Sequence, residues 1–187
     1  MEKEIENALS ALKKGQLLLY PTDTVWGIGC DPTSSGAVQK VYALKEREES
    51  KALICLVSSF KMLKDYVSTI PDDLEEVLRR QTKPTTVIYQ NPIGLASNLI
   101  ARDKTLAIRI CQNTFCQKLI ERFGKPIVST SANISGEPTA KTFSQITSKI
   151  KAGVNYIVNL QQDQTTTVEP SKIIKIEANG VIKTIRE

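Results

Sequence analysis

Leu17-Leu18-Leu19-Tyr20-Pro21-Thr22-Asp23-Thr24-Val25-Trp26-Gly27 is the stretch around which the chain is organised. Three leucines and a tyrosine, set off by Gly15, predict a buried strand. Pro21 stops it, because proline lacks the N–H that a sheet ladder needs and fixes its own φ. Three small polar side chains then stand between apolar segments, and Gly27 and Gly29 admit backbone shapes that other residues resist. A strand that empties into a polar, glycine-flanked turn is a common way to hold a small ligand at the edge of a sheet. An ordinary strand-to-loop transition has the same composition.

Outward from this stretch, helix and strand signals alternate. Ile5, Ala8, Leu9 and Leu12 have helical spacing over residues 2–14, with Gly15 as the stop. Ser34 or Ser35 caps a helix running to about Arg47. The apolar run at 52–57 predicts a central strand buried on both faces. Ser58-Ser59 opens a short helix, and Pro71-Asp72-Asp73 begins another. Residues 84–89, 105–110, 127–129 and 156–158 read as strands, and 113–123 as an amphipathic helix closed by Gly124. Thr142 and Gln145 form a capping-box pattern for a helix to about Lys151. Residues 161–167 are polar and low in complexity, which predicts a mobile segment. Ser171 to Ile185 alternates around Asn179-Gly180, a hairpin signal. The expected fold is α/β: one twisted mixed β-sheet flanked by helices, in a single domain over 1–187.

Composition bounds the chemistry. The chain has 187 residues, 41% hydrophobic and 24% charged, as in ordinary globular domains. No apolar run approaches the roughly 20 residues of a membrane span, and the acidic, mixed first residues are unlike a secretory signal. A cytoplasmic location is expected. The formal charge of +5 suits a polyanion such as a nucleotide, RNA or phosphate. Histidine is absent, which removes Ser-His and Cys-His catalysis and His-ligated metal sites. Cys30, Cys55, Cys111 and Cys116 lack zinc spacing and read as reduced packing thiols.

Four polar features remain. The first is Thr22-Asp23-Thr24. The second is Lys45, Arg47 and Lys51, three cations within seven residues that suit a triphosphate if the helix frays, or else a solvated helix end. The third is Ser129 to Thr139, which offers five hydroxyls, an amide and Gly136, without any GxxxxGK[ST] or GxGxxG pattern. The fourth is Arg109 in an apolar strand. A buried charge needs a partner, which is Asp23, Asp103 or the carboxylate of a ligand.

Taken in order, these motifs resemble the YrdC/TsaC family, the threonylcarbamoyl-AMP synthases. The resemblance rests on Tyr20 to Gly27, Lys45-x-Arg47, Pro84-x-Thr86, Ala107-Ile-Arg109, Ser129 to Gly136 and Pro170-Ser171, and it corresponds to the short form. It implies a mixed sheet with a concave basic face. It also implies a reaction in which ATP, bicarbonate and L-threonine give threonylcarbamoyl-AMP and pyrophosphate for tRNA modification. The family's threonine pocket falls on Thr24, Arg109 and Ser171. Its nucleotide site falls on Lys45, Arg47, Lys51, Thr105, Ser129, Ser131, Asn133 and Thr139, with Lys45 and Arg47 acting electrostatically. No residue is assigned as acid or base. Magnesium is expected on the ATP phosphates, without a dedicated protein site. Expected partners are the three substrates, RNA or tRNA, and a downstream threonylcarbamoyl-transfer complex, with no membrane. The same fold is also compatible with a non-catalytic double-stranded RNA-binding module, or with carbamoyl transfer to another acceptor. The chain departs from the pattern at Thr82-Lys83, at Lys172 and at Thr167, where an arginine is common; Lys83 or Lys172 is the candidate replacement for that charge.

Overall fold

The structure is a computed structural model that describes residues 1–48, 53–163, 170–177 and 180–187. Its centre is a sheet of strands β1 (Leu18–Tyr20), β2 (Gly27–Gly29), β3 (Ile54–Val57), β4 (Thr85–Gln90), β5 (Thr105–Ile110), β6 (Ile127–Ser131), β7 (Tyr156–Ile157), β8 (Lys172–Ile176) and β9 (Ile182–Arg186). Their spatial order is β7-β1-β2-β6-β3-β5-β4-β8-β9. The pairs β1/β7, β3/β5 and β4/β8 are parallel and the other neighbours antiparallel, so the sheet is mixed. The apolar run before Val57 takes the middle place, as a strand with two covered faces should.

Six helices are described: α1 (Glu2–Lys13), α2 (Ser35–Lys45), α3 (Phe60–Lys64), α4 (Leu74–Arg79), α5 (Thr114–Phe123) and α6 (Ser148–Gly153). Capping follows the sequence signals at Ser34, Ser59 and Gly124, and Asn113 adds a further cap. Ser34 Oγ accepts from the Ala37 N–H, Ser59 Oγ from Met62 and Asn113 Oδ1 from Cys116, and Gly124 closes α5 at φ 70°. No helix among the described residues is long and apolar enough to cross a membrane.

Strand side chains alternate, so each face of the sheet has its own core. On one face Ile5, Ala8 and Leu12 of α1 and Phe115, Leu119 and Ile120 of α5 pack with Leu18, Tyr20, Leu56 and Ile127. On the other, Val38, Val41 and Tyr42 of α2 meet Leu19, Ile28, Cys55, Ile108 and Val128. Burying each large aliphatic side chain contributes about 2 kcal/mol over leaving it in water. Register puts Ile54 opposite both Ala107 and Ser129, on the same face as Leu56. Ile54, Ala107 and Ser129 lie where that face becomes the wall of a cavity.

Three sequence expectations change. Gly27–Gly29 forms a strand between β1 and β6 rather than part of a turn, and Ser129–Ser131 extends β6 alongside it. Glycine is needed at position 29: an added Cβ would lie 2.6 Å from Tyr20 Cε1 and 2.7 Å from the Val128 carbonyl oxygen. The predicted helix from Thr142 to Lys151 is two pieces, a 3-10 turn at Phe143–Gln145 and α6 capped by Thr147. Gln145 Oε1 accepts from the Lys141 N–H, so no capping box forms with Thr142. The hairpin strands are present; Asn179, and much of the polar segment expected to be mobile, lie outside the described residues.

Candidate functional site

Between the β1–β2 connection and strands β3, β4, β5, β6 and β8 lies a cavity of about 470 Å³. Pockets for small ligands commonly have this size. The β1–β2 connection contributes Thr22, Thr24 and Val25 to its wall, and β2 contributes Gly27. The strands contribute Ile54, Thr86, Ile88, Ala107, Arg109, Ser129, Ser131 and Ile173, with Arg47, Thr139, Pro170, Ser171 and Arg186 completing it.

The turn after Pro21 is held from within and from behind. Thr22 Oγ1 donates to the Val25 carbonyl at 2.7 Å and accepts from the Thr24 N–H at 3.1 Å. Behind it stands the buried Arg109, whose partner is Asp23: Nη2 donates to Asp23 Oδ1 at 2.8 Å and to Thr24 Oγ1 at 3.3 Å. Asp23 Oδ2 accepts from the Gln112 N–H at 3.0 Å. The Cys116 thiol donates to the Pro21 carbonyl at 3.2 Å. Burial pushes that thiol's pKa well up, as does the neighbouring Cys111, so it stays protonated and keeps donating. All four cysteines are buried and unbridged.

Lys45 and Arg47 part company. Helix α2 ends at Lys45, and Glu46 takes left-handed backbone at φ 49°. That single turn sends Arg47 to the cavity wall and leaves Lys45 only 1% exposed. The Lys45 ammonium donates to the carbonyls of Ser131 at 2.5 Å and Asn133 at 2.7 Å. In return the Ser135 N–H donates to the Lys45 carbonyl at 2.9 Å. Lys45 therefore fastens the loop after β6. Burial, and then the charge of Arg47, pull its pKa from 10.5 to about 8.

Of the residues singled out in the sequence, Thr24, Arg47, Arg109, Ser129, Ser131, Thr139 and Ser171 share this cavity wall. Three others face elsewhere. Lys45 is turned into the loop after β6. Thr105 Oγ1 donates to Asp103 Oδ1 at 2.6 Å, closing its own turn and holding that carboxyl's pKa down. Asn133 Nδ2 donates to the carbonyls of Ile134 at 3.0 Å and Glu137 at 2.8 Å, knitting the loop. Lys51 lies outside the described residues.

Sequence reasoning missed Arg186. From β9 it reaches the wall and donates to the Ser171 carbonyl through Nη2 at 2.7 Å and Nε at 3.1 Å. A register shift between Ile173 and Ile174 sets Arg186 opposite Ile173 and so near Ser171, which simple alternation in the sequence does not reveal. Ser171 Oγ and Thr86 Oγ1 are 2.9 Å apart, which ties β8 to β4 at the cavity.

A family model named for Sua5, YciO and YrdC, described as "Telomere recombination", matches residues 10–187. The chain belongs to the Sua5/YciO/YrdC family. Over 149 residues it is 34% identical to the threonylcarbamoyl-AMP synthase of Photobacterium profundum, covering 78% of this chain and 80% of that protein. The crystal structure of P. abyssi Sua5 complexed with L-threonine superposes with a TM-score of 0.86 at 26% identity, over 97% of this chain. The chain spans about half of that longer protein, 54% of its length. E. coli YciO shares the fold, with a TM-score of 0.86 at 20% identity, covering all of this chain and 90% of YciO. Members of the Sua5/YciO/YrdC family named as synthases thus match this chain over most of their own length, and the mixed sheet expected from the sequence is the fold of its structural neighbours.

Proposed function

We propose that this chain is a threonylcarbamoyl-AMP synthase, using ATP as its magnesium complex, bicarbonate and L-threonine. The observation that carries the reading is convergence. Thr24, Arg109 and Ser171 share one cavity with Arg47, Ser129, Ser131 and Thr139, although they come from widely separated parts of the sequence. The synthase names of relatives, and the threonine in the P. abyssi Sua5 structure, support the same reading.

In this reading Arg109, with Thr24 and Ser171 beside it, receives the carboxylate of threonine. The amine nitrogen, once its ammonium proton has passed to solvent, bonds to the carbon of dissolved carbon dioxide with release of a second proton, or to that of bicarbonate with loss of water, and becomes a carbamate. A carbamate oxygen then attacks the α-phosphorus of ATP, and the bond to the bridging oxygen breaks to release pyrophosphate. Such transfers depend on alignment and charge stabilisation rather than on a strong protein base, so a chain without histidine can run them. Arg47 and Arg186 supply the cations for the phosphates; Arg186 fills the place left by the missing arginine near Thr167. Lys45 keeps the hydroxyl-bearing strand end in position. The product passes to a transfer complex that modifies tRNA, in the cytoplasm, where four free thiols remain reduced.

Pyrophosphate release is expected only when ATP, bicarbonate and L-threonine are all present, with threonylcarbamoyl-AMP detected by mass spectrometry. Release without threonine, or none with it, overturns the reading. Arg109→Ala should raise the KM for threonine by about 10-fold to 100-fold, the scale of a lost charge-assisted hydrogen bond, with little change in the KM for ATP. Equal rises in both would remove Arg109 from the threonine site.

A further inference from the structure

Thr22, Thr24 and Val25 line the cavity, but Asp23 between them does not. Its carboxylate points the other way, into the protein, and its side chain is only 8% exposed. There it holds Arg109 Nη2 at 2.8 Å while its second oxygen is fixed by the Gln112 N–H at 3.0 Å. The Arg109 side chain is only 4% exposed, so the pair is formed largely out of water. Elsewhere on the wall Arg186 donates to the uncharged Ser171 carbonyl. Among the described residues no Asp or Glu lines the cavity.

The arginine corners of the cavity thus differ in charge. At Arg109 cation and anion are fused into a neutral unit, whereas Arg186 meets the uncharged carbonyl of Ser171. An anion held by Arg109 sits close to the Asp23 carboxylate through a poorly screened interior, and the repulsion grows with the anion's charge. A polyphosphate suffers it several-fold. An amino acid carries one carboxylate charge offset by its own ammonium and suffers it least.

We propose that Asp23 is a specificity-determining residue, which neutralises Arg109 from behind and reserves that corner for a small zwitterion against phosphate. Asp23 touches no substrate; it acts through the guanidinium it pins. Without it, Arg109 would present a bare cation to the cavity, and phosphate groups would compete with the amino acid for it. The inference rests on the reading of Arg109 as the threonine-carboxylate site.

Calorimetry at constant ionic strength tests it, with L-threonine and inorganic phosphate as probes. On the wild-type protein, phosphate should leave the Kd for L-threonine unchanged. On Asp23→Asn, which keeps the shape and removes the charge, the ratio of threonine to phosphate affinity should fall by about tenfold or more, the scale of a contact to a charged group. Phosphate should then raise the apparent Kd for threonine competitively. A purely structural role would weaken both probes together and leave the ratio in place; that result overturns the proposal. If the variant does not fold, the wild-type titration still decides, because phosphate that displaces threonine competitively from the wild type also overturns it. Wild-type protein that binds no L-threonine at all defeats the synthase reading itself, which separates the two failures.

Discussion

Replacing Lys45 by Met should produce a stability difference whose pH dependence has a fixed sign. The Lys45 ammonium is buried between the carbonyls of Ser131 and Asn133, with Arg47 near, and its pKa falls from 10.5 to about 8. A lowered lysine pKa means that the unfolded chain holds the proton more tightly than the fold does. Below about pH 8 both states are protonated, and the fold bears the whole cost of the buried charge. Between about pH 8 and 10.5 the unfolded state binds more protons, so stability rises with pH in that window. At about 1.4 kcal/mol per pH unit, the full rise is about 3 kcal/mol. The neutral amine still has two N–H groups for the two carbonyls, so the fastening survives while its desolvation cost disappears. Methionine has no proton to lose, and the other titrating groups are common to both proteins. Guanidinium unfolding of wild type and Lys45→Met, from neutral pH to about pH 10.5, should show the wild type gaining up to about 3 kcal/mol on the variant, or roughly 6–12 °C in Tm. A difference that stays flat, or that shrinks as pH rises, refutes the reasoning. Bound nucleotide should move the window upward, because phosphate beside Arg47 offsets the second cause of the shift.

Gly29→Ala places a methyl group against Tyr20 and the Val128 carbonyl; a loss of about 1–3 kcal/mol is expected in thermal unfolding, and an unchanged Tm would show that the sheet relaxes freely there. Arg186→Ala removes a cation from the cavity wall and two donors from the Ser171 carbonyl, so the KM values for ATP and threonine should both rise, by about tenfold or more. A change confined to stability would make Arg186 a strand clasp only. Asn113→Ala removes the α5 cap at the Cys116 N–H and should cost about 1 kcal/mol in chemical unfolding while steady-state kinetics stay as they were.

Elements with self-contained signals were legible in the sequence. The Leu17 to Pro21 strand stop, the Ser34 cap, the Gly124 terminator and the alternation after Ser171 each depend on a few neighbouring residues, and each appears in the structure. Strand β2 was not legible, because two of its three residues are glycine and its stability comes from β1 and β6, which flank it. The break between Gln145 and Ser148 was hidden for a similar reason: Thr147 is the better cap and wins over Thr142. At the cavity, residue types pointed to the right clusters, since seven of the singled-out side chains share its wall. Direction was what the sequence withheld. One left-handed residue, Glu46, separates Lys45 from Arg47, and a pairing register brings in Arg186.

Three ties at the cavity join partners far apart along the chain: Arg109 with Asp23 and Lys45 with Ser131 across 86 residues, and Thr86 with Ser171 across 85. Contacts of such long range form late, since the intervening segments must first collapse in the correct arrangement. A nascent or partly misfolded chain can therefore acquire its helices and still lack any substrate pocket. Ligand capture thus reports completion of the whole topology, and it should lag behind the recovery of helical signal when denatured protein is diluted into buffer.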